Sequence, residues 1–484
     1  MGNKSSKVDF KNFLVYNTSV WVPAILNVLL LPIFTAYLTP GDYGIRAIVF
    51  LAILVLEILS NFGLNWVIRA KYYTFPNRRE RDIYLSSLFI ITFIPKFILF
   101  MTFMFFMDYI FPNMFGSWNE LYNKLFTIQL FIFLINYPNE IFFAIYVLQK
   151  SSKRYSSLVL LKYFSNIIVS LSLLILFNSG IISLFYGELI GAIVFQLMSA
   201  IHFRHDFTLQ FDKRVLKDLL AIGVPAMPKS LFQTVQLNID KYILQLFMPI
   251  SDIGIFTKSQ FVHKAASGLN KAFSNAYSPT YLRAMTENNK DYTARELMSY
   301  WLLLISLSIT FSMLFLVDIF RIIHVNPEFW ICAKYAPFYA INILITSYAL
   351  MYGNNILLSG KTYYFTIRSV VCGIVNITAN IILIPIYGIT GAILATIISG
   401  VTFFIIELYI SEVYLNYRTQ INLTLYAVAL SIISIIYFMI YHDYLITFTS
   451  KTIVMGVVIV LATAYEINYL SGYAKRIFQK RVAV

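Results

Sequence analysis

"LTPGDYGI" at residues 38–45 and "MPISDIGI" at 248–255 are the stretches on which the fold of this chain turns. Each is a short polar break between long apolar runs. Aligning Gly44 with Gly254 also aligns Asp42 with Asp252, and "VPA" recurs upstream at 22–24 and 224–226. Two later pairs of runs are joined by short glycine turns, "NSG" at 178–180 and "YGITG" at 387–391. This pattern predicts an internal repeat of two halves with an even number of spans each, and so in the same orientation. Halves of that kind are related by an axis along the membrane normal, with the substrate site between them near the midplane.

Working outward, the chain has 484 residues, 59% hydrophobic and only 12% charged, which excludes an ordinary soluble domain. A bilayer-crossing helix needs about 20 mainly apolar residues. Such runs fall near 12–38, 43–68, 83–111, 125–148, 157–177 and 181–203, then near 219–247, 254–282, 297–323, 335–358, 365–385 and 391–415. Two more follow near 423–441 and 452–470. The predicted fold is an all-α polytopic membrane protein with 14 transmembrane helices: two pseudo-symmetric six-helix lobes plus two C-terminal helices. The lobes are 1–203 (spans 1–6) and 204–415 (spans 7–12), with spans 13–14 and a basic tail in 416–484.

The net charge of +14 raises the question of a nucleic-acid partner, and its distribution answers it. Most of the 37 lysines and arginines lie on alternate connections, among them "RAKYYTFPNRRERD", "QKSSKRYS", "FRHDFTLQFDKRVLKD" and the tail "YAKRIFQKRV". The opposite connections hold only Lys124, Arg321, Lys334 and Lys451. By the positive-inside rule both termini are cytoplasmic, and the excess charge is a topology signal. No nucleic acid is expected. The polar start "MGNKSSKVDF" followed by a long apolar run predicts no cleavable signal peptide. Cys332 and Cys372 fall in different elements, with neither disulfide nor metal spacing.

Span 8 carries the most unusual residues. An ammonium at the centre of a bilayer costs at least a few kcal/mol, so it faces a cavity or a partner. Wound at about 100° per residue, "GIFTKSQFVHKAASGLNKAF" at 254–273 gathers Gln260, His263, Lys264, Ser267, Asn270 and Lys271 on one face. Span 2 likewise gathers Arg46, Glu57, Ser60 and Asn61. Under the repeat, Ser60 and Asn61 match Asn270 and Lys271, and Glu57 matches Ser267. The two faces predict a central polar cavity. Its substrate-binding cations are Arg46, Lys229, His263, Lys264 and Lys271, and they favour an anionic ligand such as a phosphate or pyrophosphate. Span 7 adds "GVPAMPKS", whose Pro225 and Pro228 free backbone carbonyls at membrane depth.

Other charges have plainer readings. Lys96 and Glu140 are equally far from the loop between spans 3 and 4 and form a predicted structural pair. Asp240 either pairs with Lys258 or Lys264 or, with Glu57, is a candidate for coupling to a proton or sodium gradient. Lys162 and Arg368 are read as snorkelling, and Glu188 and Glu407 are left unassigned. "GVPAMPKS" and "NILLSGKT" lack the glycines of a phosphate loop and follow no strand, so no nucleotide site is expected. With no metal cluster and no long extramembrane segment, the chain is not expected to be an enzyme, and no cofactor is expected.

Five segments carry a resemblance: "LLPIFTAYLTPGDYGI" at 30–45, "NIDKYILQLFMPISDIGIFTKSQF" at 238–261, "SNAYSPTYLRAM" at 274–285, "LLSGKTYYF" at 357–365 and "NITANIILIPIYGITGAILATIISG" at 376–400. They resemble the O-antigen and capsule repeat-unit flippases, a polysaccharide family within the multidrug/oligosaccharidyl-lipid/polysaccharide exporter superfamily. The resemblance implies twelve core helices in two lobes and two further spans. It implies movement of an oligosaccharide on undecaprenyl pyrophosphate across the bacterial inner membrane by alternating access. The partners so implied are that lipid, the bilayer, and the polysaccharide polymerase and chain-length machinery. A lipid II type flippase and a multidrug or cation antiporter are the alternatives, the second disfavoured by a lysine-rich rather than carboxylate-rich cavity.

Overall fold

The computed structural model describes residues 15, 18–115, 119–149, 151–204, 208, 210–260, 267, 318–359, 363–414 and 456. Among these the regular structure is entirely helical. The chain divides into two compact units, Met1–Gln245 and Leu246–Val484. Seven of the described helices are long and apolar enough to cross a membrane, and two bent pairs add up to two more spans. Span 13, all of span 14 but residue 456, and most of spans 8 and 9 lie outside the described residues.

Unit 1 begins with α1 (Thr18–Leu29) and α2 (Leu31–Tyr37), bent by 50°. α3 (Pro40–Asn61) starts at the repeat motif itself. Thr39 Oγ1 accepts from the Asp42 amide at 3.3 Å, and Asp42 Oδ2 accepts from the Thr39 amide at 2.8 Å. This capping box satisfies two helix-end donors, and Pro40 in the first turn has no amide hydrogen to lose. Asp42 of the repeat motif therefore caps this helix.

Span 2 reads as one run in the sequence but breaks in the structure. Phe62 and Gly63 are both left-handed, with φ of 46° and 66°, before α4 (Leu64–Lys71). The break is seated backbone to backbone on a π turn at Leu219–Gly223, and a Cβ on Gly63 would lie 2.2 Å from the Gly223 carbonyl oxygen. Around it Leu64, Val67, Ile68, Tyr84 and Val215 form a buried core.

α5 (Arg78–Phe115) anchors the loop after span 6: Ser86 and Ser87 accept from the amides of Thr208 and Asp212 at 3.0 and 2.8 Å. Tyr84 donates to Asp218 at 2.8 Å, and Lys71 pairs with the same carboxylate at 2.9 Å. α6 (Glu120–Ile135) and α7 (Tyr137–Leu148) form a second interrupted span, with Asn136 at the junction and a proline in the first turn of α7. α8 (Ser152–Phe177) and α9 (Ile182–Phe203) make a hairpin whose turn uses left-handed Asn178 and Gly180. Small residues let these helices approach closely: a Cβ on Gly191 would lie 2.8 Å from the Lys162 carbonyl oxygen. α10 (Arg214–Asp218) and the π turn lead into α11 (Val224–Phe247), the helix of span 7.

Unit 2 begins with α12, residues 250–260. A 3-10 segment, Pro327–Tyr335, turns by 43° into the next helix, α13 (Ala336–Leu358). α14 (Tyr363–Tyr387) and α15 (Ile389–Leu408) form a hairpin through left-handed Gly388, and a second π turn follows at Tyr409–Tyr414. Gly400 of α15 lies against the Asn342 side chain of α13, leaving no room for a Cβ.

Candidate functional site

The residues that stand out in these apolar helices are the polar and charged groups inside them. In unit 1 they converge from α3, α8, α9 and the α6/α7 junction. Arg46, early in α3, pairs with Glu188 of α9 at 3.6 Å. Lys162 of α8 donates to Asn136 Oδ1 at 2.9 Å, and Asn139 donates to the same oxygen at 2.7 Å. Lys162 is also within electrostatic reach of Glu188 and of Glu57. Arg46 and Glu57, about 16 Å apart along their helix, are thus connected through Glu188 and Lys162. Pro138 interrupts the span and places Asn136 where a polar side chain can meet an ammonium in an apolar surround, an arrangement tolerated at depth only inside protein or beside a cavity.

Lys96 of α5 is buried beneath aromatic rings, 4.2 Å from the Phe133 centroid and 5.4 Å from that of Tyr137. Ring faces are negative, so they stabilise a desolvated ammonium. The Glu140 side chain, its predicted partner, lies outside the described residues. Asp240 is buried on α11 and accepts from the Lys241 amide at 2.8 Å, while Lys241 Nζ donates to Asn238 Oδ1 at 3.1 Å.

In unit 2, Arg368 of α14 and Glu407 of α15 form a close ion pair, and Glu407 is fully buried. The Arg368 guanidinium lies 4.4 Å from the Phe403 centroid and 5.1 Å from that of Phe365. Gly353 of α13 closes over the carboxylate, and Asn355 donates to Ser411 at 2.6 Å nearby. Two charges left without partners in the sequence reading, Glu188 and Glu407, are therefore paired, and the two lysine or arginine residues read as snorkelling, Lys162 and Arg368, are bonded within the helices.

Of the predicted site residues, Arg46, Glu57, Asn61 and Asp240 are placed in unit 1, and Gln260 and Ser267 in unit 2, both half-buried. His263, Lys264, Asn270 and Lys271 fall outside the described residues, as does the Lys229 side chain. The sequence reading missed Asn136. The signal was available, because a proline two residues after an asparagine inside an apolar run marks a break.

This fold is shared with solved membrane transporters. A lipid II flippase, MurJ, in an inward closed conformation superposes with a TM-score of 0.73 over 94% of this chain and 99% of that one, at 16% identity. An inward-facing multidrug resistance transporter of the MATE family in the MOP superfamily gives 0.58, at 15% identity over 84% and 94%. A MOP superfamily transporter from Pyrococcus furiosus gives 0.54, at 15% identity over 84% and 94%. No curated protein sequence matches the chain. The fold is thus that of a multi-pass membrane protein, and it is shared with solved flippases and transporters. A family profile narrows it: residues 10–285 match the polysaccharide biosynthesis protein family, and the chain belongs to that family.

Proposed function

We propose that the chain moves a lipid-linked oligosaccharide, carried on undecaprenyl pyrophosphate, from the cytoplasmic to the periplasmic leaflet of a bacterial inner membrane. The observation that carries this reading is the coincidence of a polysaccharide biosynthesis profile over 10–285 with a flippase fold over 94% of the chain. Transport is by alternating access, and no bond in the substrate is made or broken. The cationic face of span 8, with His263, Lys264 and Lys271, takes the pyrophosphate, aided by Gln260, Ser267 and Asn270. Arg46, already held by Glu188, is the weaker anion ligand, and Lys229 stands with the span 8 cations. Glu57, which acts on Lys162, is the first candidate for coupling to a proton or sodium gradient, and Asp240 the second.

The test is reconstitution in vesicles with a labelled undecaprenyl-pyrophosphate oligosaccharide loaded in one leaflet. The expected result is protein-dependent exposure of the sugar to an impermeant glycosidase on the other side, reduced at least tenfold by Lys264→Ala with Lys271→Ala. Exposure no faster than in protein-free vesicles would remove the reading. The higher TM-score of the lipid II flippase, 0.73 against 0.58, makes lipid II the second reading. The same vesicles loaded with lipid II separate the two.

A further inference from the structure

One cavity of unit 1 has no part in the transport reading. It encloses about 330 Å³ between α5, α7 and α9, at the end where the basic connections emerge. Pockets of roughly 300–1,000 Å³ with apolar walls and a few polar groups are the usual form of ligand sites. The walls here are Leu85, Ile141, Ile145 and Phe203, all buried. The rim carries Arg81, Arg204 and Gln196.

Two rim atoms are buried and make no hydrogen bond among the described residues: Arg81 Nε and Gln196 Oε1. The rest of the Arg81 guanidinium is steered by Tyr72, whose ring centroid is 4.8 Å away, and by Asp82 at 3.5 Å. Among the described residues Asp82 is the one carboxylate on the lining, and Arg81 and Arg204 outnumber it there. Beside it the outer face of α9 is apolar and uncovered, with Leu197 and Ile201. A cationic mouth with a spare donor, an apolar interior and an apolar approach from the lipid side is complementary to one kind of molecule.

We propose that this cavity binds an anionic phospholipid of the surrounding leaflet, with its phosphate at Arg81 and Arg204 and an acyl chain against Leu85, Ile145 and Phe203. Guanidinium groups match phosphate oxygens geometrically, and basic pockets between membrane helices take lipid headgroups. The Gln196 amide oxygen is an acceptor that a bare phosphate leaves unsatisfied and a glycerol headgroup hydroxyl satisfies, which favours phosphatidylglycerol. The cavity lies within one unit and is too small for a carrier lipid with its glycan, so it is distinct from a transport path.

The test is native mass spectrometry of the full chain with phosphatidylglycerol or phosphatidylcholine of identical acyl chains. Phosphatidylglycerol is expected to be retained about tenfold more strongly, and Arg81→Gln with Arg204→Gln to bring it to the phosphatidylcholine level. Ala200→Phe, at an exposed rim position, keeps both charges and fills the mouth, and it too is expected to release the lipid. Inorganic phosphate at millimolar concentration is expected to leave the bound lipid in place. Equal retention of the two lipids, or retention unchanged in Ala200→Phe, would overturn the proposal, as would displacement by phosphate alone. Should the double variant not fold, by its thermal unfolding profile, Ala200→Phe decides the matter alone.

Discussion

Arg46 and Glu188 in unit 1 stand 3.6 Å apart, with 41% and 23% of their side chains left uncovered by protein. Arg368 and Glu407 in unit 2 are in closer contact, and only 19% and 0% of their side chains are uncovered. The first pair belongs to a set spread over α3, α8, α9 and the α6/α7 junction, in which Lys162 reaches Asn136 and senses two carboxylates. The second is confined to one hairpin and roofed by aromatic rings. A spread, partly uncovered set can exchange partners when a ligand or proton arrives. A closed, buried pair can only be kept or broken. The same charge types are thus left partly open in one unit and closed into packing in the other.

Breaking the closed pair gives the largest expected effect. Glu407→Ala strands the Arg368 guanidinium among Phe365 and Phe403, and an orphaned buried charge costs about 3–5 kcal/mol. Loss of accumulation in the membrane, or a marked fall in the unfolding temperature in detergent, is the expected readout. Arg368→Met with Glu407→Leu removes both charges and recovers most of the loss. A double variant as unstable as Glu407→Ala would show that the pair contributes more than mutual neutralisation.

Backbone geometry provides the next contrast, inside unit 1. Gly63 and Gly180 both have positive φ, but a Cβ on Gly63 meets the Gly223 backbone while one on Gly180 meets nothing within 4 Å. Gly180→Ala is expected to cost roughly 1–2 kcal/mol from the left-handed conformation alone. Gly63→Ala adds a backbone clash and is expected to cost more than Gly180→Ala, which parallel thermal unfolding curves would measure. Equal costs would mean that the break after α3 shifts away from Gly223 without resistance.

How far the sequence carries such contrasts depends on the physics behind each. Apolar runs were legible because crossing a bilayer demands length and hydrophobicity at every position, and the start of α3 was legible as a polar break, although the Thr39–Asp42 cap that holds it has Pro249 in place of the threonine in the second copy of the motif. The Arg368–Glu407 pair was within reach too, since both residues lie about equally far from Gly388. Arg46 and Glu188 were not, because helices distant in sequence meet in a rotation that periodicity does not set. The break at Phe62 escaped notice because phenylalanine carries no turn signal, and only its seat on Gly223 explains the left-handed backbone there.

Opening the spread set is expected to affect transport more than stability. Partly exposed ion pairs contribute about 0–1 kcal/mol, so Arg46→Gln and Glu188→Gln should unfold within a few degrees of the parent. In the vesicle assay, each is expected to slow sugar exposure severalfold, as is Glu57→Gln, which in addition should abolish the response to an imposed pH gradient. Parental transport in all three would return this cluster to a packing role and erase the contrast with unit 2.

The smallest effect is expected outside the membrane helices, where the loop after span 6 is pinned to α5. Asp212 receives the Arg214 backbone amide at 2.9 Å and its guanidinium at 2.8–3.0 Å, and these bonds hold its carboxyl below the usual carboxylate range. A carboxyl with a lowered folded pKa stabilises the fold above its unfolded value and loses that contribution as the pH falls through the folded one. Asp212→Asn keeps the shape and removes the charge. At neutral pH it is therefore expected to loosen the 208–218 loop slightly, seen as faster hydrogen exchange at the amides of Thr208 and Asp212, which donate to Ser86 and Ser87. Only below the lowered folded pKa of Asp212 should the parent and the variant exchange alike. No difference at neutral pH would show that the loop is held by the serine bonds and Asp218, with the Asp212–Arg214 pair a bystander, and a difference that persists in acid would show that the substitution acts through something other than the charge.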